Sequence, residues 1–300
     1  MPATPPVPGL PTLAAGEAFG GAVPDGDPLV CELAGVALEV AAGAAHLAAA
    51  AWGAHREDVG TKSSATDMVS EVDRAAEALI SRLLSERRPD DGLLGEEGAQ
   101  RPGTSGVRWV VDPLDGTTNY LFGVPAWSVS VAAQLDGRTV VGVVADPARG
   151  EVWAAAAGQG AFRNGERCLV AEGRSDLGTA LVATGFAYDR RRRAEQAGVV
   201  QVLLPQVRDI RRFGSAALDL CWVAGSRVDA YYEAGLNEWD LAAGTLICQE
   251  AGGCVAQLDG ELVVASTPSL AGPLRTLLLA AGAAALHPAP RSHAGGGARR

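Results

Sequence analysis

Apolar residues recur at helical spacing in two stretches near the start of the chain. The first runs from about Pro28 to Trp52 and is rich in alanine. The second includes the residues from Ala75 to Leu84, and Pro89 ends it. Because apolar positions three and four residues apart share one face of a helix, both stretches predict helices.

The pattern changes after Gly92 to short apolar runs bounded by glycines and turn residues. These runs predict strands and hairpins at "LLGEE", "RWVV", "WSVSVAAQL", "TVVGVVADP", "EVWAAAA" and "GAFRNG". Further on, strands predicted at "ALVATGF", "VDAYYEAG" and "GCVAQLDG" alternate with helices at "RAEQAGVVQVLLPQV", "SAALDLCWVAGS" and "DLAAGTLICQEAGG". Helices that flank a run of strands and then alternate with strands predict a layered α/β or α+β sandwich.

Acidic residues form four groups, each at the boundary of a predicted strand or helix. The groups are Asp73 behind Ser70, Glu96 with Glu97, Asp112 with Asp115, and Asp240. Each has an ordinary structural explanation: the first and the last fit helix caps, the second a solvated strand end and the third two turns. Taken together they occupy the loops where binding groups collect in α/β folds.

The chemistry of these groups indicates a hard cation beside a phosphate. Carboxylates without nearby histidine or cysteine select Mg²⁺ or Mn²⁺, and none of the four histidines neighbours an acidic group. Gly116, Thr117 and Thr118 supply N–H groups and hydroxyls at a possible helix start, which suits a phosphate. The combination suggests metal-assisted hydrolysis of a phosphoester.

Competing motifs fail on spacing. An EF-hand loop beginning at Asp112 needs glycine at its sixth position and glutamate at its twelfth, where this chain has Thr117 and Gly123. A haloacid-dehalogenase nucleophile needs aspartates two residues apart, whereas Asp112 and Asp115 are three apart. No G-x-x-x-x-G-K-[ST] loop is present, which argues against a P-loop kinase.

Composition narrows the class of protein further. The net charge of −10 argues against a nucleic-acid binder, because phosphate contacts are made by clusters of Lys and Arg. No run reaches the ~18 uncharged apolar residues typical of a membrane span. Five scattered cysteines without CxxC spacing indicate thiols in a reducing cytoplasm. Lys62 is the only lysine, which fits either chance survival at the surface or a need for a compact point charge.

The chain divides into four segments. Residues 1–27 are rich in proline and glycine and lack the features of a secretion signal, so they predict a disordered leader. Residues 28–170 are expected to form an N-terminal α+β subdomain with the metal site, and residues 171–285 a C-terminal α/β subdomain. Residues 286–300 predict a disordered tail.

Several of these segments together resemble the inositol monophosphatase family. "WVVDPLDGTTNY" is similar to its "DPxDGTTNF" element, "LLGEE" to its "GEE" element, and "TKSSATDMVSEVD" to its loop with Lys and two Asp. "NEWDLAAGTLICQEAGG" resembles its "WD" element and "GVVADPARGEVWAAAAGQGAFRNG" its hairpin region. The resemblance runs from about Cys31 to the 270s and implies an αβαβα sandwich, with an antiparallel N-terminal sheet and a mixed C-terminal sheet.

The resemblance also implies a metal site. The ligands of a first Mg²⁺ would be Glu96, Asp112 and the carbonyl of Leu114, and Glu96 would also reach a third, loosely held ion. The ligands of a second Mg²⁺ would be Asp112, Asp115 and Asp240.

The family's catalytic and substrate-binding roles carry over to named positions. Thr117 and Asp73 would orient and deprotonate the attacking water, with Lys62 nearby, and the backbone of Gly116 and Thr117 would hold the phosphate. The polyol would be bound by Asp115, Gly214, Ser215, Ala216, Glu233 and Asp240. The family further implies a homodimer and inhibition by lithium.

The substrate is less narrowly defined than the chemistry. The "TTN" run, with Thr118 where relatives acting on histidinol phosphate or nucleotides often carry Lys, favours inositol 1-phosphate. Histidinol phosphate and sugar phosphates such as fructose 1,6-bisphosphate stay open, as does a non-catalytic protein that binds metal or phosphate. Glu238 adds a carboxylate near the site, and Arg190 to Arg193 form either a solvated loop or a contact for a second anionic group.

Overall fold

The fold is described by a computed structural model for residues 10–11, 15–20, 27–52, 59–61, 68–171, 175–258 and 261–283. Within these ranges the α-helices are α1 (Ala15–Ala18), α2 (Pro28–Ala51), α3 (Glu71–Arg87), α4 (Thr117–Phe122), α5 (Arg190–Leu203), α6 (Ala216–Ala224), α7 (Glu238–Glu250) and α8 (Pro268–Ala280). Two short 3₁₀ helices cover Leu177–Thr179 and Leu204–Gln206.

The strands of the first part of the chain form a hairpin and a large sheet. The hairpin pairs β1 (Val59–Thr61) with β2 (Met68–Ser70). The large sheet contains β3 (Gly92–Gly95), β4 (Gln100–Arg101), β5 (Val107–Asp115), β6 (Ser128–Leu135), β7 (Arg138–Asp146), β8 (Glu151–Ala156), β9 (Gly160–Arg163) and β10 (Glu166–Cys168). Its order is β10-β9-β8-β7-β6-β5-β3-β4. The expectation of a purely antiparallel sheet is wrong at one pair, because the chain turns back through β4 and enters β5 parallel to β3.

The strands of the second part form a mixed sheet, as predicted. It contains β11 (Leu181–Thr184), β12 (Asp209–Arg211), β13 (Ala230–Ala234), β14 (Cys254–Leu258) and β15 (Leu262–Ser266), in the order β12-β11-β13-β15-β14. The three strands β12, β11 and β13 are parallel, and β15 and β14 add antiparallel pairs.

The helices and sheets form five layers that are held together by three hydrophobic cores. The first core joins α2 and α3 to one face of the large sheet, through residues such as Trp109 and Val131. The second joins the opposite face to α6, α7 and the small sheet, through Val110 and Ala132. The third lies between the small sheet and helices α5 and α8. Neighbouring strand residues point to opposite faces, and both faces of the large sheet are covered, which explains its nearly continuous apolar runs. The predicted αβαβα sandwich is confirmed.

Helix α2 is the one described helix with the length and composition of a membrane span. Over half of its most apolar window is buried inside the protein. Ten of its residues, among them Leu33, Val40 and Ala44, are buried, largely in the first core. The apolar character of α2 is therefore accounted for by packing within the fold.

The two ends of the chain differ from what the sequence predicts. Within the expected disordered leader, α1 is a short helix, and Phe19 is buried with its ring edge-on to Phe162. The leader is therefore not disordered throughout. Elements β15 and α8 were not predicted, since the apolar pattern of α8 is interrupted by Pro273 inside the helix.

Two local predictions change in detail. Asp240 is not the N-cap of α7; Asn237 is, and Asp240 accepts the N–H of Asn237 at 2.6 Å from the third helical position, as in a capping box. The arginine run is not a loop but the first turn of α5, where Asp189 is the N-cap. The cap predicted at Ser70 depends on its side chain, and the structure describes only the backbone of that residue.

Candidate active site

A cavity of about 420 Å³ opens between the two sheets, and most of the predicted site residues line it. These are Glu96, Asp112, Leu114, Asp115, Gly116, Thr117, Gly214, Ala216, Glu233 and Asp240. They come from strand ends and helix starts that are up to 144 residues apart, from Glu96 to Asp240. The fold therefore brings the separate sequence motifs to a single cavity.

The acidic groups meet because of strand register and helix position. In the parallel pair, Gly95 of β3 lies opposite Val111 of β5, so the next residues, Glu96 and Asp112, are neighbours. Asp115 ends β5, and α7 brings in Asp240 from the other layer. Carboxylate oxygens of Asp112, Asp115 and Asp240 lie within 4.8 Å of one another.

Burial and mutual repulsion make this cluster unfavourable when every carboxylate is charged. Burial, followed by the charges of Glu96, Asp115 and Asp240, raises the pKa of Asp112 well above its usual range. Burial likewise raises the pKa of Asp115 to about 6, although hydrogen bonds from Ser215 and Ala217 oppose the shift. Asp240 has a raised pKa for the same main reason. A bound cation would relieve this repulsion.

The donor set suits a divalent hard cation. All the converging side chains are carboxylates, and among the described residues neither histidine nor cysteine lines the cavity. Oxygen-only sites are typical of Mg²⁺, Mn²⁺ and Ca²⁺, whereas zinc favours nitrogen and sulfur. The residues present therefore fit the metal dependence of the family that the motifs resemble.

The pKa shifts predict how metal and pH act on stability. A carboxyl group with a raised pKa in the folded state stabilises the fold below its unfolded value near 3.8, and that contribution is lost as pH rises through the folded value. The metal-free protein should therefore lose stability between about pH 4 and pH 7. Mg²⁺ binds the deprotonated cluster, so its stabilising effect should grow over the same interval.

Thermal unfolding with chelator and with Mg²⁺ measures this effect. At a 100-fold excess over Kd the ion adds about 2.7 kcal/mol, which is roughly 4 °C in Tm for a chain of 300 residues. A Tm gain that is equal at pH 5 and pH 7.5 would contradict deprotonation of the cluster as the link.

Asp115 connects the acidic cluster to the start of α6. Its Oδ2 accepts hydrogen bonds from the hydroxyl of Ser215 at 2.6 Å and from the N–H of Ala217 at 2.8 Å. Ser215 is the N-cap of α6 and is almost fully buried. Its side chain thus lies behind the cavity lining and holds Asp115, while Gly214 and Ala216 face the cavity.

The turn that follows Asp115 sets the shape of the predicted phosphate pocket. Gly116 has φ 93°, a left-handed conformation that glycine adopts without strain, and it is the N-cap of α4. The Thr117 hydroxyl donates to the Leu114 carbonyl at 3.1 Å. The Asn119 amide donates to Phe213 at 2.6 Å and to Ala126 at 2.7 Å, which joins this turn to the segment before Gly214.

Glu233 also lines the cavity. The Tyr231 hydroxyl donates to its Oε2 at 2.8 Å. Burial raises the pKa of Glu233 to about 7, against the lowering effects of Tyr231 and Arg212. A carboxyl group held in this way presents an acceptor to a substrate hydroxyl.

Two of the predicted catalytic residues, Asp73 and Lys62, are not among the described residues that line the cavity. Asp73 is fully buried in the first turn of α3. The pKa of Tyr120 is raised first by burial and then by the negative charge of Asp73. Asp73 therefore lies close to Tyr120 of α4. Thr117 precedes Tyr120 by three residues, so both face the same side of α4. Lys62 lies outside the described residues.

Other contributors were missed from the sequence. Glu77, a buried residue of α3, accepts the N–H groups of Glu97 at 2.7 Å and Ala99 at 2.8 Å and so fixes the turn that carries Glu96. Glu238, which was expected to add a carboxylate near the site, instead pairs with Arg108 and Gln134 and does not line the cavity. Further lining side chains are Phe186, Tyr188, Arg192, Arg212, Asn237 and Trp239. Of these, Arg192 belongs to the arginine run that the sequence offered as a contact for a second anionic group, and the others were not predicted.

Comparison with known proteins agrees with this geometry. The model of the inositol monophosphatase family matches residues 30–291. An inositol-1-monophosphatase of Mycobacterium leprae is 45% identical over 285 residues, which cover 85% of this chain and 96% of that protein. A protein named Nus factor SuhB from Pasteurella multocida is 44% identical over 208 residues, covering 68% and 78% of the two chains.

A solved structure supports the same relationship. The structure of Mycobacterium tuberculosis SuhB superimposes with a TM-score of 0.72 at 41% identity and covers 87% of this chain and 100% of its own. The acidic cluster, the layered fold and these similarities lead to one assignment. The chain belongs to the inositol monophosphatase family and is a phosphoric monoester hydrolase.

Proposed function

We propose that the protein hydrolyses inositol 1-phosphate to myo-inositol and phosphate in a Mg²⁺-dependent reaction. The observation that carries the proposal is the convergence of Asp112, Asp115 and Asp240 within 4.8 Å at the cavity that Glu233 also lines. The acidic cluster can bind cations that in turn hold a phosphate. The carboxylate of Glu233 can accept a hydrogen bond from a hydroxyl of the leaving group. The name of the M. leprae relative supports this substrate.

The metal ligands of this proposal are Glu96, Asp112 and the Leu114 carbonyl for one ion, and Asp112, Asp115 and Asp240 for another. Bound divalent ions supply an activated water and neutralise charge on the phosphate and on the leaving oxygen. Oxygen-only coordination favours Mg²⁺, with Mn²⁺ as the nearest substitute.

The remaining chemistry belongs to side chains and backbone of this protein. Asp73 accepts the proton of the attacking water through Thr117, whose hydroxyl lies at the start of α4. The N–H groups of Gly116 and Thr117 donate to the phosphate oxygens. Glu233 accepts a hydroxyl of the polyol, and Asp115, Gly214 and Ala216 shape its binding surface. Because water attacks directly, no phosphorylated enzyme forms.

Phosphate release from a panel of esters tests the proposal. The panel holds inositol 1-phosphate, histidinol phosphate, fructose 1,6-bisphosphate and adenosine 3′,5′-bisphosphate, each with Mg²⁺ and with chelator. We expect the highest kcat/KM for inositol 1-phosphate and no release with chelator. Preference for another ester would leave the mechanism unchanged and replace the proposed substrate. No phosphate release from any ester would contradict the proposal.

The cellular location and the partners of the protein are inferred from its cysteines, its composition and the family resemblance. All five cysteines lie in described ranges and are thiols, which supports a reducing, cytoplasmic location. A homodimer, lithium inhibition and the absence of nucleic-acid or membrane partners stay predictions from the family resemblance and from composition. Light scattering and a lithium titration of the phosphate-release assay measure the first two.

A further inference from the structure

We propose that Glu77 is a positioning residue for the metal site, because its buried carboxylate holds the turn that carries Glu96 where Glu96 can bind a cation. Glu77 does not line the cavity, so it acts through the turn and not by touching metal or substrate. This inference rests on the metal ligands of the proposed function, since it assumes that Glu96 binds the first ion.

The carboxylate of Glu77 binds the turn after β3 at two points. Its Oε2 accepts the N–H of Glu97 at 2.7 Å, and its Oε1 accepts the N–H of Ala99 at 2.8 Å. The turn is closed by the N–H of Gly95, which donates to the Ala99 carbonyl at 2.7 Å. Both oxygens of one carboxylate therefore hold the residues that directly follow Glu96, through hydrogen bonds strengthened by the negative charge.

Gly95 provides the room that this carboxylate occupies. A Cβ at Gly95 would collide with Oε2 of Glu77 and would lie 2.8 Å from its Cδ. The backbone of Gly95 is not left-handed, so its conformation alone does not require glycine. The close approach of Glu77 is therefore the physical reason for a glycine directly before Glu96.

A charged carboxylate at this position is unfavourable unless it has a specific use. Burial raises the pKa of Glu77, the N–H groups of Ala99 and Glu97 oppose this effect, and the negative charges of Glu97 and Glu96 add to it. A cation bound by Glu96 would reduce the last of these repulsions. The environment of Glu77 is therefore linked to the occupancy of the metal site.

Helix α3 connects this turn to the predicted general base. Asp73 and Glu77 are four residues apart in α3, so they share one face of the helix, and both are buried. On its other side the turn is held by β5, because the N–H of Glu96 donates to the Val111 carbonyl at 3.3 Å. The hydrogen bonds of Glu77 thus fix the metal ligand relative to the helix that carries the base.

The alternative is that Glu77 only satisfies buried N–H groups and stabilises the fold. Its removal would then lower the Tm and leave the affinity for metal unchanged. A positioning role instead predicts weaker metal binding, and only while Glu96 is present to be positioned. A double-mutant cycle between Glu77 and Glu96 separates the two explanations.

The test measures Mn²⁺ binding to the full chain without any ester, from the electron paramagnetic resonance signal of free Mn²⁺. The variants are Glu77→Gln, Glu96→Gln and the double substitution. Glutamine keeps the shape of Glu77 but has one acceptor oxygen, so one of the two N–H groups loses its partner. Glu86→Gln is the control, because Glu86 lies in the same helix and pairs with Arg82 at the surface.

We expect Glu77→Gln to raise the Kd for Mn²⁺ by roughly 10-fold or more, as for loss of a group that orients a metal ligand. In the Glu96→Gln background the same change should alter the Kd by less than about 2-fold, and Glu86→Gln should match the wild type. Unchanged binding in Glu77→Gln, or an equal loss in both backgrounds, would overturn the inference.

Gly95→Ala keeps the inference testable if Glu77→Gln does not fold. The added methyl group displaces the Glu77 carboxylate from the turn, while every acidic residue of the site is retained. Mn²⁺ binding should therefore weaken by a factor similar to that for Glu77→Gln. Wild-type affinity in a folded Gly95→Ala variant would contradict the positioning role.

Phosphate release distinguishes failure of this inference from failure of the proposed function. If the wild type binds Mn²⁺ and hydrolyses no ester, the proposed function fails, and a loss of affinity in Glu77→Gln still supports the positioning role. If the wild type hydrolyses esters and Glu77→Gln binds Mn²⁺ as tightly as the wild type, the inference alone fails.

Discussion

Replacing Asp112 with asparagine is expected to reduce phosphate release by roughly 1,000-fold or more, because Asp112 belongs to both proposed metal sites. The variant should fold. Oδ1 of Asp112 accepts the N–H of Leu114 at 2.9 Å, and the amide oxygen of asparagine can keep that bond. Removing one charge from the repelling cluster should also raise the Tm of the metal-free protein, while the Tm gain with Mg²⁺ disappears.

The matched control for this variant is Asp136→Asn. Asp136 lies exposed in the turn between β6 and β7 with φ 50°, a conformation that asparagine tolerates well. The control changes net charge equally and should retain wild-type activity. Full activity of Asp112→Asn, with its Mg²⁺ response intact, would show that the site has been assigned to the wrong residues.

Replacing Asp73 with asparagine is expected to lower kcat by roughly 100- to 10,000-fold, the range for loss of a general base. The Mg²⁺-dependent rise in Tm should stay, since Asp73 is outside the proposed ligand set. KM should change little, because this side chain is buried beside α4 and does not line the cavity. Stopped-assay kinetics and thermal unfolding of the same preparation measure both effects.

The control for Asp73 separates catalysis from helix capping. Glu71 lies exposed in the same first turn of α3, so Glu71→Gln removes a negative charge at the helix start without touching the site. An unchanged kcat with a lower Tm in Asp73→Asn would identify Asp73 as a structural residue. In that case the acidic limb of the pH profile would also match wild type.

The acidic cluster could be predicted because each of its residues lies at a strand end or a helix start that can be recognised in the sequence. Glu96 and Asp112 each follow an apolar strand, and the register of β3 and β5 then places them side by side. The N-cap position of Asn237 likewise fixes where α7 presents Asp240. The strand ends and the helix start were recognisable in the local sequence, whereas the parallel pairing of β3 with β5 and the N-cap at Asn237 were not predicted.

Features that depend on the direction of side chains across layers were not predictable in this way. Four consecutive arginines look alike in sequence, and only the phase of α5, set by the Asp189 cap, turns Arg192 into the cavity. Ser215 was expected to contact substrate but lies behind the lining, because the α6 N-cap directs its hydroxyl to Asp115. Such outcomes depend on tertiary packing, which the local pattern does not contain.

The most direct test of the account is anomalous diffraction from crystals grown with Mn²⁺. We expect an anomalous peak among the carboxylates of Asp112, Asp115 and Asp240 in the wild type, and its loss in crystals of Asp112→Asn. No peak at this cluster under saturating Mn²⁺, or a peak elsewhere alone, would contradict the claim that this site holds the catalytic metal.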